Sequence, residues 1–277
     1  MSFVRLACDC HVHFHPGYDE VLFWDSLASN LSAGVRSVYG DAPGEVGYMI
    51  LLTESAGADF FSRWRDRGDR GPAGIRFVPT GEPYSLALVR NGGPSLLVVQ
   101  GRQIVTAERL EVLTAGPRGA IPDGRPLARV VDELTTAGEL AILPWGAGKW
   151  LGARGRLVEE LAQGNTCPTF FLADNTARPA WWPAPRAFRF PARRGQGILR
   201  GSDPLPLPGE EKRAGAFASL LAGEFDASLP LASLKALLGG AGPLVPLGRR
   251  DGTIRFAKRQ VGLRVIPKRP ATGSSAC

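Results

Sequence analysis

The chain has 277 residues, 44% of them hydrophobic, which is typical of a globular protein with a substantial core. Its formal net charge of +7 favours an anionic substrate, a phosphate-bearing ligand or loose contact with nucleic acid. The four cysteines have neither the spacing of a disulfide framework nor that of a zinc ribbon, and no apolar stretch has the length of a signal peptide or a membrane span. We therefore expect a soluble cytoplasmic protein without membrane contact.

Short apolar runs alternate along the chain with segments of helical period. The runs predicted as strands are residues 2–14, 48–53, 75–80, 95–116 (two or three strands), 140–146, 168–175 and 195–203. The segments predicted as helices are residues 19–33, 57–68, 126–138, 155–164 and 210–225. This alternation predicts a parallel α/β architecture, and the absence of a clear linker favours one (β/α) barrel over two domains. We expect the barrel to occupy residues 1–268, with a flexible tail at residues 269–277; the basic segment 256–270 is predicted to be solvated.

The polar residues that carry chemistry follow the predicted strands. In a (β/α) barrel the active site lies at the C-terminal ends of the strands. The residues found at such positions are His11, His13, Gln103, Trp145 to Lys149, Asp174, Asn175 and Asp203. Residues scattered over most of the chain are therefore predicted to face one mouth.

All the histidines of the chain fall within the segment DCHVHFHPGYD, residues 9–19. On a strand, alternate side chains point the same way, so His11 and His13 are predicted to project about 6 to 7 Å apart into one space. Asp9 and His15 share this face by parity. The pattern indicates a metal site, although inward-facing, hydrogen-bonded histidines would show the same spacing.

A metal ion held by two histidines needs a further ligand, and a carboxylate is the natural supplement. Asp203 follows a short apolar strand and a Gly-Ser turn, which makes it the best distant candidate. Its alternative role is to cap the following turn or helix. Asp174 ends another strand and is our candidate general base, with helix capping as the alternative.

The segment LPWGAGKWLGARG, residues 143–155, places glycines around a lysine at a strand end. Lys149 is predicted to bind a phosphate or carboxylate and to assist catalysis, because an ammonium group is a compact positive charge. The residues predicted to add to the substrate site are Arg154, Arg178, Arg200 and, as an aromatic wall, Trp145. Residues 179–195, rich in Pro, Trp and Arg, are either a lid over the site or a surface crossover.

Several segments occur in an order that is similar to a known family. They are DCHVHFHPGYD, QGRQIVTAERLEVLTAG, IPDGRPLARVVDEL with LAILPWGAGKW, and GSDPLP. Together, over about residues 9–205, they resemble the motifs of the PHP family of metal-dependent phosphoesterases. The resemblance implies a single distorted (β/α)7 TIM-like barrel of PHP or amidohydrolase type. It also maps metal ligands to His11, His13, Asp19 and Asp203.

Four positions depart from the family pattern. Gln103 stands where the family has a bridging glutamate, and Glu111, Trp145 and Leu205 stand where it has histidines. A neutral amide does not replace a bridging carboxylate, and an indole offers only an N–H donor. We therefore expect one divalent ion, zinc, manganese or iron, rather than the two or three that the family usually holds.

The leading hypothesis for function is a metal-dependent hydrolase, namely a phosphoesterase that acts on a small anionic substrate through a metal-activated water. Amide or lactone hydrolysis would use the same ligands. The alternative is a catalytically inactive barrel that binds a ligand or a partner, and the substituted ligand positions favour it. Nucleic acid is not expected as a partner, because the sequence contains no recognised binding module with interleaved basic and aromatic residues.

Overall fold

The computed structural model describes residues 2–41, 45–90, 95–116, 121–164, 167–193, 195–240 and 242–265. The predicted tail, residues 269–277, lies outside the described residues. So do the last residues of the predicted barrel, 266–268.

The described residues form eleven strands and seven α-helices. The strands are β1 (Ser2–Val12), β2 (Val46–Glu54), β3 (Arg76–Pro79), β4 (Ser85–Val89), β5 (Leu96–Val105), β6 (Glu111–Ala115), β7 (Ala141–Pro144), β8 (Phe170–Asn175), β9 (Leu199–Gly201), β10 (Phe217–Asp226) and β11 (Val245–Gly248). The helices are α1 (Glu20–Tyr39), α2 (Phe60–Arg67), α3 (Leu127–Thr136), α4 (Ala153–Gly164), α5 (Arg189–Arg193), α6 (Pro230–Gly239) and α7 (Thr253–Val265).

The strands form one sheet that curls into a nearly closed barrel. Along the sheet the order is β11-β10-β1-β2-β5-β6-β7-β8-β9, and the hairpin of β3 and β4 joins the edge of β5. At one end of this path β9 approaches β1, and directly after β9 the backbone N–H of Asp203 donates to the carbonyl of His11 at 2.8 Å. The predicted TIM-like α/β barrel is confirmed.

The sheet is mixed rather than wholly parallel. β1, β2 and β5 run parallel, as do β7, β8 and β9, whereas β6 is antiparallel to both its neighbours and β10 is antiparallel to β1. The connection between β5 and β6 spans only residues 106–110, which is too short for the crossover that parallel strands require. Hairpins of this kind distort the barrel.

Hydrophobic side chains pack on both faces of the sheet. One buried cluster takes residues from strands around the sheet and from α6, and it fills the barrel interior; Cys8, Met49 and Phe171 belong to it. A second cluster packs α1 and α2 against the outside of β1 and β2. A third packs α3 and α4 against the outside of β7 and β8. The core therefore holds the strand ends, which carry the polar residues, in fixed positions.

One expectation about the C-terminal third is wrong, and a second holds only in part. Residues 210–225 were expected to form a helix, but they form one short 3-10 turn, Glu210–Arg213, followed by β10. A short apolar run does not distinguish a helix from a buried strand, and pairing with both β1 and β11 decides for the strand. The basic segment was expected to be solvated, and in its described part, which lies in α7, Lys258 and Arg264 are exposed, whereas Arg259 is buried.

None of the helices in the described ranges combines the length and the apolar character needed to cross a bilayer.

Candidate metal centre

A β-bulge in β1 determines the side of the sheet on which the side chains of His11 and His13 lie. The register of β1 against β2 shifts by one residue between Asp9 and Val12. Before the bulge, Cys8 and Cys10 face the barrel interior and Ala7 faces outward; after it, Val12 is the outward residue. His11 and His13 consequently share the inner side, at the mouth, and bulges commonly re-aim side chains in this way beside active sites.

Asp9 does not share the face of the histidines, so its predicted placement by strand parity is wrong. Its buried carboxylate accepts hydrogen bonds from three backbone N–H groups: His11 at 3.2 Å, Ser202 at 2.9 Å and Gly215 at 3.0 Å. Burial raises the pKa of Asp9 to about 6, although these donors favour the ionised form. Asp9 therefore ties the bulge to the segments that follow β9 and precede β10.

His11, His13 and Asp203 bring their ligand atoms together at the mouth, within 4.8 Å of one another. The two Nε2 atoms lie 2.9 Å apart, and Asp203 Oδ1 lies 3.6 Å from His11 Nε2 and 3.8 Å from His13 Nε2. The amide oxygen of Gln103 is 3.3 Å from His11 Nε2. Polar atoms of four side chains thus converge on one point.

Asp203 is held in an uncommon backbone conformation. Its φ is +48°, in the left-handed region that residues with a Cβ seldom adopt. Asn175 Nδ2 donates to its Oδ2 at 3.0 Å, and Arg259 of α7 donates to its carbonyl at 2.6 Å. Such a conformation persists only where the surroundings enforce it, and it is common at ligand sites.

Two side chains from the segment that follows β1 contact the backbone of the loop after Asp203. His15 Nε2 lies 3.0 Å from the carbonyl of Pro204, and the Tyr18 hydroxyl donates to the carbonyl of Leu205. His15 is thus engaged with the backbone beside the group and does not join it.

The electrostatics of the group suit a cation. Burial, with the charge of His11 adding to it, lowers the pKa of His13 to about 3, so this imidazole is neutral near pH 7. Burial raises the pKa of Asp203, but the interactions with His11 and His13, followed by those with Arg259 and Lys149, outweigh it and hold the pKa of this carboxyl below its ordinary value. Neutral imidazole and ionised carboxylate are the forms in which these side chains bind metals.

The donor set fits one divalent transition-metal ion. Two imidazole nitrogens and a carboxylate oxygen are ligands that zinc, manganese and iron accept, and three protein ligands leave a position for water or substrate. His11 Nε2 and His13 Nε2 face each other at hydrogen-bond distance, which requires either a proton on one of them or a cation beside both. The structure therefore has a group of side chains that is able to hold the predicted divalent metal ion.

His13 and Asp203 of the group line a cavity of about 310 Å³, which we call the metal-site cavity. Its other described lining residues include Gln103, Glu111, Trp145 and Lys149. Lys149 Nζ donates to the carboxylate of Glu111. The positive charge of Lys149 also lowers the pKa of Asp203, so the lysine interacts electrostatically with the His-His-Asp group. Lys149 and Trp145 are thus found where the sequence predicts them.

Asp19 is not part of the group, and its predicted role as a ligand is corrected. Asp19 is the N-cap of α1, and its Oδ1 accepts from the backbone N–H of Leu22 at 2.9 Å. Its carboxylate satisfies one of the free N–H groups of the first helical turn, which is the usual role of an aspartate at this position.

The predicted role of Asp174 as a general base is also corrected, because Asp174 forms a buried ion pair with Arg178. Arg178 Nε donates to Asp174 Oδ1 at 2.7 Å, and a second guanidinium nitrogen donates to Oδ2. Side chains alternate along a strand, so in β8 it is Asn175 that faces the metal-site cavity. Arg178 is accordingly not available to a substrate.

The remaining predicted arginines do not line the metal-site cavity. Arg200 donates to the carbonyl groups of Ile198 at 2.9 Å and Leu244 at 3.3 Å, and burial lowers its pKa. Arg154 donates to the carbonyl of Gly148 at 2.9 Å. Both hold backbone segments in place.

Asp19→Ala is expected to destabilise the protein by about 1 kcal/mol, because α1 loses its N-cap. The metal content is expected to stay unchanged. Chemical denaturation and elemental analysis of the same preparation measure the two quantities. A loss of bound metal in this variant would return Asp19 to the ligand set.

Arg259 is a residue of the site that sequence reasoning missed. Besides Asp203, it contacts Thr176 Oγ1 at 2.8 Å, Asp251 at 3.0 Å and Glu210 at 2.9 Å. It lies within a basic run whose other members give no sign of burial, so no sequence pattern distinguishes it. Asn175 was noted beside Asp174, but only the strand orientation shows which of the two serves the site.

No protein-family model matches the chain, and no curated protein matches it. Among solved structures, the lesion-specific endonuclease PfuEndoQ from Pyrococcus furiosus aligns at a TM-score of 0.50 and 14% identity, over 90% of this chain and 59% of its own. Endonuclease Q in complex with a 27-mer duplex substrate that has an abasic lesion at the active site aligns at 0.50 and 12% identity, over 88% and 58%. PsfC from Pseudomonas syringae PB-5123 aligns at 0.49 and 14% identity, over 93% and 95%.

The chain thus spans less than two thirds of the two endonuclease chains. At these identities the likeness to the endonucleases concerns the fold alone. It supports the PHP-like barrel that the sequence motifs predict. The class defined by the fold and the site is therefore an α/β barrel of PHP-like fold with a His-His-Asp group at its mouth.

Proposed function

We propose that the protein is a metal-dependent hydrolase, a phosphoesterase that uses one divalent ion and acts on a small anionic substrate. The observation that carries the proposal is the convergence of His11, His13 and Asp203 beside a cavity that His13, Asp203 and Lys149 line. Two of the similar solved structures are of endonuclease Q, and endonucleases cleave phosphate esters, which supports the reaction class.

The bound ion would supply Lewis acidity at a phosphoryl oxygen and a lowered pKa for water in its open position. His11, His13 and Asp203 are the residues that would hold the ion. Asn175 and Arg259 keep the Asp203 carboxylate aimed at this point through the bonds described above. Lys149 neutralises negative charge that develops on the phosphoryl group.

Glu111 takes the role of proton acceptor that was assigned to Asp174. Among the described residues that line the metal-site cavity, the carboxylates are Asp203 and Glu111. As the water oxygen forms a bond to phosphorus and the ester oxygen departs with its bonding pair, the proton of water passes to Glu111. The paired Lys149 ammonium returns a proton to the departing oxygen.

Hydrolysis of a panel of phosphate monoesters, with and without added Zn, Mn or Fe, tests the proposal. Asp203→Asn is the matched variant, because it keeps the size of the side chain and removes the anionic ligand. We expect metal-dependent phosphate release that falls by at least about a hundredfold in Asp203→Asn. Metal binding without hydrolysis of any ester would instead identify a protein that binds a ligand without catalysis. Gln103, which stands where the PHP family has a bridging glutamate, favours this alternative.

The same assay separates a small substrate from nucleic acid. The neighbours include an endonuclease bound to a DNA duplex, whereas this chain was not expected to act on nucleic acid. Duplex and single-stranded oligonucleotides are therefore included beside the monoesters. Faster turnover of an oligonucleotide than of any monoester would overturn the small-substrate part of the proposal.

Lys149→Ala is expected to weaken the binding of inorganic phosphate to the metal-loaded protein about tenfold or more, because a charge-assisted hydrogen bond is lost. Isothermal titration calorimetry measures the affinity. Lys235→Ala is the control, since Lys235 forms a comparable half-buried pair with Glu139 at 2.7 Å away from the metal-site cavity.

A second variant distinguishes two effects on phosphate affinity: the loss of the Lys149 charge, and repulsion by the Glu111 carboxylate that is left unpaired. Lys149→Met combined with Glu111→Gln removes both charges, so no unpaired carboxylate remains to repel the anion. Phosphate affinity that stays weak in this double variant identifies Lys149 as the binding group. Affinity equal to that of the unaltered protein would show that Lys149 has no part in binding.

A further inference from the structure

The wall of the metal-site cavity presents oxygen atoms from three segments of the chain. Gln103 of β5 pairs with Leu113 of the antiparallel strand β6. Leu113 faces the barrel interior, so Glu111, two residues before it, shares this face and lies nearer the mouth. Gln103, Glu111 and Asp203 all line the cavity. Their carboxylate and amide oxygens are groups that bind cations.

The cation that the structure brings to these oxygens is an ammonium group. Lys149 Nζ donates to the carboxylate of Glu111, and its charge also acts on Asp203, whose pKa it lowers. The side chain of Lys149 is 36% exposed and that of Glu111 is 17% exposed, so water screens the pair only in part. Both carboxylates that line the described part of the cavity therefore interact with this lysine.

The backbone after β7 restricts the position of the ammonium group. The N–H of Lys149 donates to the carbonyl of Gly146 at 2.9 Å, which closes a tight turn. A Cβ on Gly146 would lie 2.7 Å from Lys149 Cδ and 3.1 Å from its Cβ, so the lysine stem packs directly on the glycine. The turn and this contact direct the ammonium group toward Glu111.

The other described residues of the cavity are poor ligands for a second metal ion. The indole of Trp145 offers only an N–H donor, and the amide oxygen of Gln103 carries no charge. His15 is engaged with a backbone carbonyl. A second ion would therefore depend on the carboxylate of Glu111, whose charge Lys149 already neutralises.

We propose that the Lys149 ammonium group takes the place of a second divalent ion, so that the site holds one metal ion and one fixed organic cation. This inference rests on the proposed phosphoesterase function. A metal ion and an ammonium group side by side attract the same phosphoryl group, as the two ions of a binuclear site do. The ammonium group also repels any further cation at short range. Lys149 thus determines how many ions the site holds.

A double variant is expected to convert the site to one that binds two ions. Lys149→Met removes the ammonium group and keeps most of the length of the stem, and Gln103→Glu adds a carboxylate beside Glu111. With a second divalent ion, this variant has the same net charge in the cavity as the unaltered protein has with one. We expect the manganese content after equilibrium dialysis to rise from about one to about two equivalents per chain.

Electron paramagnetic resonance shows whether the second ion lies in the cavity. Two Mn²⁺ ions in one site, which lie about 4 Å apart, are magnetically coupled, whereas an ion bound elsewhere on the surface gives the spectrum of an isolated ion. Urea denaturation establishes that the double variant is folded. A folded double variant that holds one ion, or two ions without coupling, would overturn the inference.

Further variants identify the group that excludes the second ion. Gln103→Glu alone is expected to hold one ion, because the ammonium group remains; two coupled ions in this variant would assign the exclusion to Gln103 and contradict the inference. Lys235→Met is the control, since it removes a comparable lysine from Glu139 outside the cavity, and it is expected to hold one ion. If the double variant does not fold, Lys149→Met alone replaces it. Coupled uptake at raised manganese is expected there, and no uptake would overturn the inference.

The unaltered protein distinguishes the failure of this inference from the failure of the proposed function. Two coupled ions in the unaltered protein, together with phosphate release from an ester, would overturn the role of Lys149 and leave the phosphoesterase standing. Conversion from one ion to two in the double variant, without hydrolysis of any ester by the unaltered protein, would overturn the phosphoesterase and leave the role of Lys149 standing.

Discussion

Replacing Gly201 with alanine is expected to weaken metal binding by about 10- to 100-fold, although Gly201 is not itself a ligand. A Cβ at this position would lie 2.3 Å from His11 Cβ and 2.7 Å from the His11 backbone nitrogen. The backbone of β1 and the hydrogen bond from Asp203 to the His11 carbonyl leave no room for such an atom. The strands would separate beside His11 and Asp203, the proposed metal ligands.

Metal affinity measured by competition with a chromogenic chelator provides the test. Gly164→Ala is the matched control, because a Cβ there meets no atom within 4 Å. We expect the control to bind metal as the unaltered protein does. Full affinity in Gly201→Ala would show that the approach of β9 to β1 does not set the geometry of the site.

Arg178→Ala is expected to lower the free energy of unfolding by about 3 to 5 kcal/mol. The substitution leaves the carboxylate of Asp174 buried without its main partner, since both side chains are more than nine-tenths buried. Replacing the pair together, as Arg178→Met with Asp174→Leu, is expected to recover most of this loss, because no charge then remains in the interior. Urea denaturation of the single and double variants measures the difference.

The same variants test whether Asp174 acts as a general base or only as half of a structural ion pair. If the pair is structural, the double variant keeps its hydrolytic rate per folded molecule while its stability changes. A rate that collapses in the folded double variant, with metal content unchanged, would restore Asp174 as the general base.

Much of the site follows from local sequence pattern. The alternation of His11 and His13 on a strand, and Asp203 after a short apolar strand, identify the group, because each depends on one strand and its end. The Gly-rich segment likewise identifies Lys149 as a cation beside the site. The alternation of residues along a strand and the positions of strand ends and glycines encode these features directly in the sequence.

Other parts depend on contacts between distant segments. Asp9 is displaced from the histidine face by a bulge, which arises from the pairing of β1 with β2. Asp19 and Asp174 are carboxylates at element ends, and only the neighbours Leu22 and Arg178 show that one is a cap and the other an ion pair. Pairing with β1 likewise converts an apolar run that was expected to be helical into β10.

Arg259 illustrates the same limit at the site itself. It reaches Asp203 from the last described helix, and its bond to the Asp203 carbonyl supports an uncommon backbone conformation. Neither the position of α7 over the mouth nor that conformation is encoded in a local pattern. Residues that orient a ligand without binding it are therefore the ones that the sequence conceals.

Metal content, measured by elemental mass spectrometry on protein purified without chelator, tests the central claim most directly. The account predicts about one equivalent of Zn, Mn or Fe per chain, lost in the His11→Ala/His13→Ala double variant and retained in Asp19→Ala. No bound metal, and no uptake from added Zn, Mn or Fe, would contradict it and leave the histidine strand as a relic in a binding protein.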